Sequence, residues 1–131
     1  MKHLIFPFTL LLATSAAAQD YATRATDTVP TGLAALILDR PLTYFDDGTS
    51  RYNTDGTYSW DYSAANGGGT WLGHHTLDAA TEDSIVCITF VTGVERCDQF
   101  VMSGDRLVLL TADGGRFPVR DIGPVEALSS E

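Results

Sequence analysis

Cys87 and Cys97 are the two residues whose chemistry the sequence identifies most directly. Each cysteine lies in a run of β-branched and aromatic residues, and the segment Val91-Thr92-Gly93 separates the two runs. A three-residue loop that ends on a left-handed glycine is a common hairpin connection, and that register places Cys87 directly opposite Cys97. Their spacing is much wider than the C-x-x-C spacing of a metal or redox pair. We therefore predict a structural disulfide across a β-hairpin.

The adjacent histidines His74 and His75 are the next candidates, because imidazole is a common metal ligand. Successive side chains on a strand point to opposite faces, however, and no third ligand stands at a fixed spacing from this pair. The segment Asn53-Thr54-Asp55-Gly56 resembles the middle of a calcium loop, but Arg51 occupies the position of the first aspartate ligand. We therefore predict no metal site and no cofactor.

Catalysis by a nucleophile requires a serine, cysteine or threonine close to a base. The sequence has no G-x-S-x-G motif, and both cysteines are predicted to be oxidised. Gly67-Gly68-Gly69 is not followed by lysine, so it does not match a phosphate-binding loop. The many aspartates select no particular pair for glycoside hydrolysis. We therefore favour a non-catalytic protein over an enzyme.

Aromatic residues are concentrated between positions 44 and 71. Tyr58, Trp60 and Tyr62 alternate with polar residues, which places the three rings on one face of one strand. Core packing is one interpretation, because a small barrel must fill its interior. The other is a wall of rings that stacks on sugars or grips a partner protein. These three residues are therefore possible ligand contacts, whereas Trp71 is expected in the core.

Short strand-like runs follow one another from residue 42 to residue 120. Turn signals such as Asp47-Gly48 and Asp55-Gly56 join them, and Asp-Gly between such runs favours a hairpin. Because tight turns connect neighbours, we predict an all-β fold of about eight antiparallel strands, a meander that closes into a small barrel or half-barrel. Pro118 cannot donate to a ladder, so the last strand is expected at a sheet edge.

One short helix is predicted before the strands. Thr31 is a typical N-cap residue, Leu33, Leu36 and Ile37 follow at helical spacing, and Pro41 ends the helix. A helix of two turns is not stable alone in water. We therefore expect its leucine face to dock on the open end of the sheet.

The N-terminus is predicted to be an export signal that is cleaved after Ala18. Lys2 and His3 form a basic start, residues 4–13 are apolar, and small residues precede the cleavage site. The apolar run is too short to span a bilayer, and no membrane span is expected in the mature chain. We predict a periplasmic or secreted protein, in a compartment where disulfides persist. The predicted divisions are a signal peptide (1–18), a flexible leader (19–30), a single β domain with a short helix (31–122) and a frayed tail (123–131).

The charge balance is acidic. Lysine and arginine number 8 and aspartate and glutamate 17, which gives a formal net charge of −9. Such a surface repels phosphate groups. We therefore expect neither nucleic acid nor an anionic membrane surface as a partner.

The order of these features resembles a diffuse group of small exported bacterial β-proteins that carry one disulfide and whose function is unknown. Their pattern is a short helix, two D-G turns, a G-x-W strand and a Cys…Cys hairpin. The corresponding residues here are 31–39, Asp47-Gly48, Asp55-Gly56, Gly69-Thr70-Trp71 and Cys87…Cys97. The resemblance covers about residues 31–120 and implies a fold but no mechanism.

These observations favour an exported, non-catalytic binding module with an unknown small-molecule ligand or protein partner. Two alternatives stay open. One is a small hydrolase acting on envelope polymers, and the other is a structural envelope-stress protein that acts through its surface.

Replacing both Cys87 and Cys97 by alanine should lower the melting midpoint by about 5–15 °C, because a bond closing a loop of about 11 residues contributes roughly 2.5–3 kcal/mol. Calorimetry measures the shift. Thr89→Ala, on the same face of the same predicted strand, serves as the control and should have a smaller effect. Two free thiols in the unreduced, denatured protein would contradict the predicted bond.

Overall fold

The computed structural model describes residues 20–77 and 84–126. The predicted export signal and residues 127–131 of the predicted tail lie outside this part of the chain. The strands are β1 (Asp27–Thr28), β2 (Pro41–Tyr44), β3 (Thr49–Tyr52), β4 (Thr57–Asp61), β5 (Thr70–His75), β6 (Ile85–Phe90), β7 (Glu95–Ser103), β8 (Arg106–Leu110) and β9 (Arg116–Ile122); helix α1 spans Leu33–Ile37 and a 3-10 turn spans Ala64–Asn66.

Strands β2 to β9 form a closed antiparallel barrel. Each strand pairs with the next one along the chain, and β9 pairs back with β2. Closure gives every strand of the barrel a neighbour on both sides, so the barrel has no open edge of its own. The predicted all-β meander is confirmed in its closed form, with β1 as an additional strand beside β7.

The cysteine hairpin has the predicted register. Cys87 pairs with Cys97 across β6 and β7, and the two sulfur atoms are 2.05 Å apart. Gly93 has φ 87°, the left-handed conformation that the loop requires, and the amide of Phe90 donates to the carbonyl of Val94 at 2.8 Å. The predicted disulfide is confirmed.

The barrel interior is filled by one side of each strand. Its buried apolar residues are Leu42, Tyr44, Tyr52, Tyr58, Val86, Ile88, Phe90, Phe100, Leu107, Leu109 and Val119. Helix α1 packs against one end of this interior, because Leu33 and Ile37 belong to the same buried cluster. Gly32 stands at the N-cap of the helix instead of the expected Thr31, with no side-chain hydrogen bond to the first turn.

The expectation that the last strand lies at an edge is wrong. Strand β9 pairs with β8 on one side and with β2 on the other. Pro118 is tolerated because it lies just beyond Tyr44, the last residue of β2, which pairs with Val119. A register shift between Thr43 and Tyr44 further relaxes the ladder at this point.

Residues 20–28, which we name the N-terminal strap, pack on the outside of the barrel. Strand β1 within the strap pairs with the end of β7, and the hydroxyl of Tyr21 donates to the carbonyl of Cys97 at 2.9 Å. Tyr21 also covers Val101, Val108 and Leu110, which form an apolar cluster distinct from the interior. Residues 20–28 of the predicted leader (19–30) thus lie against the barrel, a placement that the sequence did not indicate. A two-residue strand and one ring are too short to give a periodic pattern.

An ion pair attaches the strap to β9. The guanidinium of Arg116 donates to Asp27 at 2.7 and 3.1 Å and to the carbonyl of Ala22 at 2.8 Å. The hydrogen bond from Arg116, with a second from the amide of Arg24, lowers the pKa of Asp27 to about 2. The charged form of Asp27 is therefore favoured in the folded state.

The start of the predicted tail is also attached. The amide of Gly123 donates to the carbonyl of Pro41 at 2.9 Å, and the amide of Glu126 donates to the carbonyl of Asp39 at 2.7 Å. The carboxylate of Glu126 pairs with Arg51 at 2.6 Å. Residues 123–126, the start of the predicted tail, thus lie against the segment after α1.

Asp27→Asn should lower the free energy of unfolding at pH 7, because it removes the charged partner of Arg116. The pKa of Asp27 is about 2 in the folded state and about 3.9 in an unfolded chain. The stabilisation is therefore complete above the unfolded value, and it is lost as the pH falls through the folded value.

Urea unfolding of both proteins between pH 7 and pH 2 measures the difference. Asp105→Asn, in the exposed turn between β7 and β8, is the control and should show a smaller effect at pH 7. A difference between wild type and Asp27→Asn that stays constant down to about pH 2 would contradict the account of this ion pair.

Candidate ligand site at the barrel mouth

The two ends of the barrel differ. Helix α1 packs at one end with Leu33 and Ile37. The other end, which we name the mouth, is bounded by the connections β2–β3 (45–48), β4–β5 (62–69), β6–β7 (91–94) and β8–β9 (111–115). Any site that uses the interior of the barrel must therefore open at the mouth.

A cavity of about 200 Å³ lies at the mouth. Its walls are aromatic and its polar groups are few, as is usual for small-molecule sites. The lining residues are Tyr44, Trp60, Tyr62, Phe117, Leu109, Asp46, Arg96 and Thr111. A neighbouring cavity of about 410 Å³ shares three of them, Arg96, Thr111 and Phe117, and adds Asp113.

Another cavity of about 200 Å³ lies between β8 and β9 near the turn that joins β7 to β8. Asp105, Arg106 and Arg120 are among its lining residues, and none of those residues is aromatic. The apolar part of its wall is aliphatic, formed by Leu107, Val119 and Ile122, and it has no aromatic ring against which a ligand could stack. The mouth is therefore the better candidate.

Two glycines make room for the aromatic walls of the mouth. An added Cβ at Gly48 would stand 2.7 Å from Cη2 and Cζ2 of Trp60, and one at Gly115 would stand 2.6 Å from Cε2 of Phe117. Trp60 also contacts Tyr44 and Tyr62, with ring centroids 5.4 and 5.6 Å apart. The two rings can lie where they do only because neither glycine carries a side chain.

Arg96 and Asp98 form an ion pair inside the barrel. Nε of Arg96 donates to the two carboxylate oxygens of Asp98 at 3.0 and 2.9 Å, and Nη2 lies 2.9 Å from Asp98 Oδ2. Nη2 also donates to the hydroxyl of Tyr58 at 3.2 Å, and the guanidinium carbon lies 5.4 Å from the ring centroid of Phe90. These five contacts fix the direction of the guanidinium.

Each charge of this pair depends on the other. The side chain of Asp98 is fully buried and that of Arg96 is 35 % exposed. Burial raises the pKa of Asp98, and Arg96 opposes that rise only in part. Burial acts to lower the pKa of Arg96, but Tyr58 and Asp98 raise the pKa overall. Removing either partner would leave an unpaired charge in a poorly solvated position.

The three aromatic residues predicted as ligand contacts have different positions. Tyr58 is buried in the core, where it contacts Arg96. Trp60 is half-buried and lines the cavity, and Tyr62 is exposed at its edge. The structure therefore places Trp60 and Tyr62 in the candidate site and Tyr58 beneath it.

The expectation that Trp71 lies in the core is wrong. Trp71 is 45 % exposed, although it pairs with Trp60 and its ring lies 6.0 Å from that of Phe90. The reason is that β5 begins at the mouth, where the interior opens to solvent. Alternation along a strand predicts the face of a residue but not its depth along the barrel.

Sequence reasoning missed Arg96, Asp98, Thr111 and Phe117. The sequence did contain a signal for Arg96 and Asp98. They flank Cys97, and because side chains alternate along a strand, an outward-facing Cys97 places both of them on the inward face. A charged pair directed into a barrel is unusual enough to mark a site. Phe117 and Thr111 carried no comparable signal, since their closeness to Trp60 depends on closure of the barrel.

The histidines do not form a metal site in the structure. His75 accepts a hydrogen bond from the amide of Leu77 through Nδ1 at 3.1 Å, so Nε2 carries the proton and donates to the carbonyl of Asn53 at 2.6 Å. His74 is exposed on the other face of β5. Both ring nitrogens of His75 are thus occupied, at the end of the barrel opposite the mouth.

Asp98→Asn should lower the free energy of unfolding by about 3 kcal/mol, because it leaves the Arg96 guanidinium without its charged partner. In the double variant Arg96→Met with Asp98→Asn the loss should be smaller than the sum of the two single losses, since the two residues act as a unit. Denaturant unfolding of the three variants measures this coupling. Strictly additive losses would show that the pair is not coupled.

Comparison with known proteins finds no match among family models, curated proteins or solved structures. The resemblance to small exported single-disulfide β-proteins therefore stays a prediction. In residues 20–77 and 84–126, no helix has both the length and the apolar character needed to cross a membrane.

Proposed function

We propose that this protein is an exported, non-catalytic binding module whose ligand is a small molecule held at the mouth of the barrel. The observation that carries the proposal is the cavity itself, where the guanidinium of Arg96 is fixed in direction beneath the aromatic walls formed by Trp60 and Phe117. A ligand bound there would need little rearrangement of the protein, which reduces the cost of binding.

Export is supported by the disulfide, which persists in oxidising compartments, and by the predicted signal at 1–18. The acidic composition disfavours phosphate-rich partners. Neither observation identifies a ligand, so the proposal depends on the geometry of the mouth.

The hydrolase alternative draws no support from the mouth. In the part of the chain that the structure describes, the carboxylates and hydroxyls lining the two cavities belong to Tyr44, Tyr62, Asp46, Thr111 and Asp113. The hydroxyl of Tyr44 is hydrogen-bonded to that of Ser50. The hydroxyl of Thr111 donates to Asp113 and accepts from the amide of Gly115, which is the bonding of a turn. Because His74 and His75 lie at the opposite end, no imidazole within residues 20–77 and 84–126 is near these groups.

A second candidate is a protein partner that covers the mouth. Nine large hydrophobic residues are exposed in the described part of the chain, and seven of them, which we name the rim, surround the mouth: Phe45, Tyr62, Trp71, Leu72, Val91, Val94 and Phe117. Scattered exposed hydrophobics are ordinary, but a ring of them indicates an interaction surface. The exposed carboxylates of Asp46, Glu95 and Asp113 lie among them, so such a partner would be basic.

Titration of the ¹⁵N-labelled protein with single small compounds tests the small-molecule proposal. The compounds are neutral sugars, apolar carboxylates, amines and zwitterions, each at millimolar concentration. At least one should shift the indole N–H signal of Trp60 in a saturable way and shift that of Trp71 less, because only Trp60 lines the cavity.

Two variants give this test its controls. Gly115→Ala should weaken binding by about tenfold or more, since its methyl group displaces both Phe117 and the hydroxyl of Thr111, two residues that line the cavity. Asp105→Ala, at the other end of the barrel, should leave affinity unchanged. Saturable shifts confined to the cavity between β8 and β9, or no saturable shift with any compound, would overturn the proposal.

A further inference from the structure

The mouth has a positive group inside, Arg96, and negative groups at its edge, and this arrangement restricts the class of ligand. The inference rests on the proposed function. Asp98 and Tyr58 hold Nε and Nη2 of Arg96. Among the described residues, no group accepts a hydrogen bond from Nη1 of Arg96, which leaves a fixed donor next to the cavity. A carboxylate is the group that best matches a guanidinium donor of fixed direction.

The edge of the mouth carries the opposite charge. Asp46 accepts the amide of Gly48 through Oδ1 at 2.9 Å, and Asp113 accepts the hydroxyl of Thr111 through Oδ1. In the described part of the chain, no group donates a hydrogen bond to Oδ2 of Asp46, whereas the carboxylate of Asp113 is held by the hydroxyl of Thr111 and by backbone amides that include that of Gly115. Both carboxylates are exposed, so each can still accept from an ammonium group.

Neither a simple anion nor a simple cation suits this arrangement. Asp98 already neutralises Arg96, so an anion would enter past Asp46 and Asp113 without a net positive charge to attract it. A cation would be attracted at the edge but would meet the guanidinium of Arg96 below. A molecule that carries both charges satisfies both groups, and an apolar or aromatic body would contact Trp60 and Phe117 between them.

We propose that the ligand of the mouth is a small zwitterion with an apolar or aromatic body. Its carboxylate binds Arg96, and its ammonium group binds Asp46 or Asp113. Free amino acids with large apolar side chains, and compounds with the two charges further apart on a ring, belong to this class.

Two matched sets of probes test the inference. The first set is phenylalanine, 3-phenylpropionate and 2-phenylethylamine, and the second is 4-(aminomethyl)benzoate, benzoate and benzylamine. In at least one set the zwitterion should bind about 10-fold or more tightly than either singly charged compound, as expected when a charge-assisted hydrogen bond is lost. Quenching of tryptophan fluorescence and the Trp60 indole signal give the affinities.

Variants test which residues bind the ammonium group of the ligand and which bind its carboxylate. The double variant Asp46→Asn with Asp113→Asn should weaken the zwitterion and the amine about 10-fold and should not weaken the carboxylate, because it removes two negative charges while asparagine keeps the oxygen that forms each turn. Arg96→Gln should weaken the zwitterion and the carboxylate instead. Asp105→Asn is the control at the opposite end. If Arg96→Gln fails to fold, the double variant at Asp46 and Asp113 still tests whether the mouth selects a zwitterion.

The outcomes are distinct. A neutral sugar or a singly charged compound that binds at the mouth at least as tightly as its zwitterion overturns this inference and leaves the binding module standing. Unchanged zwitterion affinity in the double carboxylate variant also overturns it. No saturable binding by any probe at the mouth would overturn the proposed function as well.

Discussion

The ion pair between Arg96 and Asp98 is the interaction that the rest of the structure depends on. Both charges face inward on β7, among the apolar residues Val86 and Ile88 of β6 that pair with them. Buried charges are tolerated only when they are paired and hydrogen-bonded. A slip of one residue between β6 and β7 would turn this pair outward and Cys97 inward. The disulfide at Cys97 prevents that slip, so the cross-link and the ion pair support one register.

The asymmetry of the barrel follows from how its two ends are filled. At one end, Leu33 and Ile37 of α1 add apolar side chains that no strand supplies. At the mouth, Gly48 and Gly115 remove side chains, which makes room for Trp60 and Phe117. An eight-stranded barrel is just wide enough to be filled by its own side chains. A ligand cavity can therefore exist only where the filling is incomplete, and that place is above Arg96.

Much of the fold could be predicted because its signals are local. The hairpin around Cys87 and Cys97 and the short strands were correctly predicted from turn residues and alternation. The N-terminal strap was missed because its attachment depends on Asp27 and Arg116, which are distant in sequence. The edge expected at Pro118 was wrong because closure of a barrel is a global property, and a single proline is tolerated where its neighbour strand has ended.

The candidate site was predicted only in part, for the same reason. Trp60 and Tyr62 were identified because they share a strand, but the strands that bring Arg96, Thr111 and Phe117 beside them are joined only by closure. Exposure of Trp71 depends on its depth along the barrel, which alternation does not report. A site assembled from several strands and connections is therefore visible in the sequence only as separate fragments.

The central claim is that Asp98 fixes the guanidinium of Arg96 before any ligand binds. The most direct measurement is ¹⁵N NMR of the arginine side chains in the ligand-free protein, with the exposed Arg24 as an internal reference. We expect a protected Nε–H signal and separate, slowly exchanging Nη signals for Arg96, which collapse in Asp98→Asn. An Arg96 guanidinium that rotates as freely as that of Arg24 would contradict the account.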